Sequence, residues 1–139
     1  MPRLTRYFIK AGLAYLVLAL LVGVLMTGRT MLNLPLWINA LYPVSVHLLM
    51  VGWVTQLIMG VAHWMFPKYS KEQPRRNERL AWAVFVMLNA GLLLRVIGEP
   101  LTVNAPDLNM GWLLVVSAVL QLAAGWGFVF NMWSRVKER

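Results

Sequence analysis

Residues 44–66 read VSVHLLMVGWVTQLIMGVAHWMF, with no Asp, Glu, Lys or Arg. Roughly 20 apolar residues in a helix cross the hydrocarbon core of a bilayer, so this stretch reads as a membrane span. Three further blocks share its character, giving spans at about 8–26, 44–66, 80–98 and 110–133. Composition points the same way. The 139-residue chain is 60% hydrophobic and 13% charged, with mean hydropathy +0.64. A soluble domain carries about a quarter charged residues. A sheet is excluded because its open edge could not be hydrogen-bonded in lipid. The fold class expected is all-α: an integral membrane four-helix bundle forming a single domain, 1–139. A soluble globular enzyme is excluded. The absence of cysteine excludes a disulfide scaffold and a thiolate zinc site. The first block is too long for a signal-peptide core and no A-x-A site follows it, so it reads as a membrane anchor.

The net charge of +8 does not point to nucleic acid, because the basic residues flank the apolar blocks. Arg3, Arg6 and Lys10 lie at the N-terminus, before and at the start of the first span. Lys68, Lys71, Arg75, Arg76 and Arg79 lie between the second and third. Arg135, Lys137 and Arg139 follow the fourth. The other two connections hold only Arg29, Glu99 and Asp107. The positive-inside rule places both N and C termini in the cytoplasm, as expected of a multi-pass protein of the cytoplasmic (inner) membrane. Trp64, Tyr69, Trp82 and Trp133 would mark the inner interface of the lipid bilayer, and Trp37, Tyr42 and Trp112 the outer one. The apolar run 34–38 is expected to lie flat on the outer surface. Residues 99–109, with Pro100 and Pro106, are expected to be an irregular loop.

Polar groups at membrane depth are costly and so become functional candidates. They are His47, Gln56, His63, Asn89, Arg95, Ser117 and Gln121, with no acidic residue inside any predicted span. That argues against a proton-coupled transporter built on a buried carboxylate. His47 and His63 are about 24 Å apart along a helix axis and point roughly 160° apart, so they cannot share one metal. His63, beside Trp64 and Pro67, reads as an interfacial histidine reaching the headgroups. His47 reads either as a hydrogen-bonded packing residue or as a ligand. Gly52, Gln56 and Gly60 recur every four residues on the face of His63, where small residues admit another helix. The His47 face, with Met50, Val51, Val54 and Ile58, suits lipid, ordinary core or a flat apolar cofactor. Arg95 either snorkels and pairs with Glu99 at i+4 or clamps an anionic group such as a propionate.

Residues 47–67, HLLMVGWVTQLIMGVAHWMFP, resemble the second transmembrane helix of haem–copper oxidase catalytic subunits, and most of all the nitric oxide reductase branch. There a histidine near the outer end precedes a Gly-Trp, a further Gly, an aromatic pair and a Pro at the cytoplasmic end. The resemblance implies that His47 is an axial ligand of a low-spin haem b; from the face and depth they share with it, Met50, Val51 and Val54 are then expected against the cofactor and Arg95 near its propionates. Those catalytic subunits have about a dozen helices. Their other haem ligands and copper-site histidines have no counterpart here, so a complete oxidase is excluded. His63 stands where the family carries an aromatic residue, so no role passes to it. A homodimer in which each copy supplies His47 would complete a bis-histidine site, and a Met as second ligand stays open. The function expected is haem b binding for electron transfer with a respiratory-chain redox partner. The rivals are a cofactor-free accessory or assembly subunit of a respiratory oxidase and a small transporter or lipid-binding protein.

Overall fold

In a computed structural model, which describes residues 1–136, the charge-free blocks become long helices and the Pro- and Asn-bearing segments connect them. Helix α1 spans Arg3–Thr27, α2 is a continuous coil over Leu36–Met65, α3 spans Glu78–Asn104 and α4 spans Gly111–Trp133. Among the described residues there is no strand, and these four helices are long and apolar enough to cross a membrane. Asn77 starts α3 by accepting a hydrogen bond from the Leu80 backbone N–H at 3.0 Å, and Glu78 follows at the helix's positive end.

Close approaches set the packing. A Cβ on Gly60 would lie 2.7 Å from Cβ of Phe8, and one on Gly52 would lie 2.8 Å from the Tyr15 side chain. The expected small-residue face of α2 therefore lies against α1, antiparallel to it. Gly91 and Gly98 do the same for α3 against Ser117, Gln121 and Leu114 of α4. The start of α1, the 66–77 connection and the end of α4 gather at one end, the basic end. The connections after α1 and α3 form the opposite end.

Two polar clusters tie the layers together. Tyr15 Oη and Gln56 Nε2 each donate to Asn89 Oδ1 at 3.0 Å, and Asn89 donates to the Phe85 carbonyl at 2.7 Å. Ser117 donates to the Gly91 carbonyl at 2.6 Å and accepts from Gln121. Among apolar surroundings each such group must find a partner within the protein, so these contacts fix which helices meet.

Three features depart from the sequence reading. Helix α1 begins at Arg3, ahead of the apolar block. The 34–38 run does not stand apart as a surface segment: Leu36–Leu41 is a 3-10 coil that opens α2 and buries Ile38. Helix α3 continues through Pro100 to Asn104, because proline removes a single backbone bond and the chain can bridge it. The Thr102 hydroxyl and the Asn104 amide donate to the carbonyls of Glu99 and Pro100, each at 2.9 Å. Residues 99–104 are thus helix.

Candidate functional site

Within α2 the coil changes width. Tyr42–His47 is α-helical, Leu48–Thr55 takes wide turns with i→i+5 bonding, and Gln56–Met65 is α-helical again. The Thr55 hydroxyl follows the wide turn, donating to the Met50 carbonyl at 2.8 Å. Wide turns of this kind occur mostly singly and are frequent at functional sites. This one starts directly after His47.

His47 Nδ1 lies 2.8 Å from the Pro43 carbonyl, which can only accept. A proton on Nδ1 satisfies this contact, and in the neutral ring the lone pair then lies on Nε2. The same Nδ1 is 3.6 Å from Glu99 Oε1, and Arg95 Nε is 3.4 Å from that oxygen. Glu99 thus links His47 of α2 to Arg95 of α3. Glu99 is 8% exposed and lies inside α3, because that helix runs past the predicted span end at 98. Pro100 hid it by reading as a helix end. The i+4 pairing of Glu99 with Arg95 is the one the sequence offered. Glu99 Oε2 and Arg95 Nε and Nη1 are buried and have no hydrogen-bond partner among the described residues.

The predicted site residues do not all converge. His47 and Arg95 meet through Glu99. Met50 points outward at 55% exposure, and Val54 is half-buried. Val51 turns inward and packs on both apolar clusters, one around Phe8 and Leu88, the other around Tyr15 and Leu92. Gln56, Asn89, Ser117 and Gln121 bond one another and hold helices together.

His63 is corrected more sharply. It is 2% exposed, so it reaches no surface. It lies among Phe8, Met59, Val84, Phe128, Asn131 and Met132. Its Nε2 has no partner among the described residues. Arg135, read from sequence as a tail charge, folds over it. At 1% exposure, Arg135 donates to the carbonyls of His63, Phe66 and Pro67 at 3.2, 2.8 and 3.0 Å. It satisfies the open carbonyls at the C-terminal end of α2, where a cation is favoured. Burial, and after it the Arg75 cation, hold its guanidinium below the ordinary arginine range. Lys137 and Arg139, the other tail charges, lie outside the described residues.

Among the described residues no group of three or more His, Cys, Asp or Glu side chains is placed to hold a metal ion. No protein-family model, no curated protein and no solved structure matches this chain.

Proposed function

We propose that the chain is a membrane protein of the cytoplasmic membrane with both termini inside, and that it binds haem b through His47 Nε2 at the interface of a homodimer. The observation that carries the ligand assignment is the 2.8 Å contact of Nδ1 with the Pro43 carbonyl. Metal-bound histidines almost always donate their second ring N–H in this way, which fixes the tautomer and raises ligand basicity. His47 is also 28% exposed at the side chain, beside an outward-pointing Met50, so a second copy can approach it. Outward apolar side chains such as Leu20, Val24, Val115 and Leu122 support insertion in lipid, since soluble monomers rarely expose large apolar patches.

The residues divide the work. His47 would ligate iron. Pro43 and Glu99 hold its ring. Arg95, with Nη1 lacking a hydrogen-bond partner, would meet a propionate, although Glu99 at its Nε already neutralises part of its charge. Met50 and Val54 would touch the macrocycle edge, and Val51 would back it from the core. When bound between two imidazoles, with no open coordination position, haem b carries one electron and does no oxygen chemistry.

The test is a visible spectrum of the purified full chain, oxidised and reduced. A low-spin haem b spectrum with one haem per two chains is expected. His47→Ala should abolish it. His63→Ala should loosen the core yet leave the spectrum of the folded fraction. A wild-type preparation without a Soret band would defeat the haem assignment and favour a cofactor-free accessory role.

A further inference from the structure

At the basic end, away from His47, two cavities meet at one side chain. One, of about 510 Å³, is lined by Arg76, Trp126, Val129, Phe130, Trp133 and Ser134. The other, of about 810 Å³, is polar, and its walls include Arg76, Arg79, Gln73 and Glu78. Arg76 is held in place between them. Its Nη1 donates to the Phe130 carbonyl, and its guanidinium sits 4.4 Å from the Phe130 ring centroid and 5.9 Å from that of Tyr69. Its backbone is left-handed, with φ 61°, a conformation that glycine would adopt more cheaply. Such strain in a side-chain-bearing residue clusters at ligand clamps.

Guanidinium offers five N–H donors, and Phe130 takes one. Both ion pairs among the described residues lie at the opposite end, so neither engages Arg76 or Arg79. Two arginines against Glu78 leave the polar cavity net cationic. Beside it Trp126 and Trp133 are 74% and 77% exposed on a helix side with apolar Val129. A cationic mouth adjoining an apolar aromatic groove matches a molecule with a phosphate at one end and hydrocarbon at the other.

We propose that Arg76 and Arg79 clamp the phosphate of one anionic phospholipid whose acyl chains lie along Trp126, Val129 and Trp133. A zwitterionic headgroup would bring its own cation against the arginines. Free phosphate would leave the aromatic groove without a purpose. Because Phe130 already fixes Arg76, little side-chain freedom is lost on binding. The site rests on the membrane reading above and is independent of haem.

Native mass spectrometry and thermal unfolding of the full chain in mild detergent, with added phosphatidylglycerol or phosphatidylcholine, test it. One phosphatidylglycerol per chain is expected to be retained and to raise the melting temperature, with phosphatidylcholine retained far less. Each arginine near a membrane surface contributes enough that Arg76→Gln or Arg79→Gln should weaken retention about fivefold. The Arg79 side chain makes no hydrogen bond within the described residues, so its variant stays informative if Arg76→Gln folds poorly. Trp126→Ala should also lower retention, and Arg29→Gln at the opposite end should not. Equal retention of both lipids, unchanged retention in the Arg79 variant, or equal stabilisation by inorganic phosphate would overturn the site. So would a dimer dispersed by Trp126→Ala with lipid retention intact, which would put a second copy in the groove. Release of the wild-type chain from membranes by alkaline carbonate would defeat the membrane reading itself, and the lipid site with it.

Discussion

Arg135 shows how far one side chain can depart from its sequence context. Among Ser134, Val136 and Lys137 it reads as a solvated charge, yet it is buried and binds three carbonyls at the end of α2. Hydrogen bonds to a charged group contribute about 1.5–3 kcal/mol each, and removing the donor strands the buried acceptors. Arg135→Ala should therefore destabilise the fold by on the order of 2–4 kcal/mol, read by thermal unfolding in detergent. Arg135→Lys should recover only part of that, since a single ammonium cannot reproduce the planar fork. An Ala variant that melts with wild type would show that the carbonyls find other partners. Arg95 is tested at the same scale. Its Nε faces Glu99, and its Nη1 is buried without a partner. Arg95→Leu should weaken haem retention or shift the midpoint potential while the protein still inserts. Unchanged haem content and potential would leave Arg95 as the partner of Glu99 alone. The histidines were only partly legible. That the two histidines sit at different depths of one helix could be read from their spacing. The burial of His63 could not, because it depends on α1, α3 and α4 closing around it.

At the scale of elements, small residues set how closely helices approach. Gly60 lies against Phe8, so a larger side chain must push α1 away. Gly60→Leu should cost about 1–3 kcal/mol, the usual range for overpacking. Gly125→Ala is the matched control, since a Cβ there meets nothing within 4 Å. It should be neutral, or stabilising by up to about 1 kcal/mol through helix propensity. Similar melting curves for the two variants would remove Gly60 from the packing argument. The spacing of Gly52, Gln56 and Gly60 made this face readable in advance, and all three are buried. The wide turn over Leu48–Thr55 was not readable, because no residue in it is a helix breaker of the proline kind. Residues 99–104 misled for the opposite reason: Pro100 is a helix-breaking signal that the end of α3 overrides.

For the whole molecule, the charge asymmetry between the two ends makes a topology prediction. The basic end holds residues 3–10, the 66–77 connection and Arg135, and the opposite end carries Arg29 and Asp107. A reporter fused after Arg139 should read cytoplasmic, and one inserted near Asp107 should read external. The reverse pattern would invert the assignment of inner and outer ends and with it the outward position given to His47. Chain composition and block lengths determined that the protein is all-helical, with four long apolar helices, because helix length and hydropathy are local properties of a segment. They also determined the glycine face of α2, since i, i+4 spacing needs only one helix. Tertiary structure alone decided that Glu99 reaches His47, that Asn89 collects Tyr15 and Gln56, and that Arg135 binds the His63 carbonyl. Each of these pairs residues far apart in the chain, and a polar group's partner is set by which helix faces meet, which no single segment encodes.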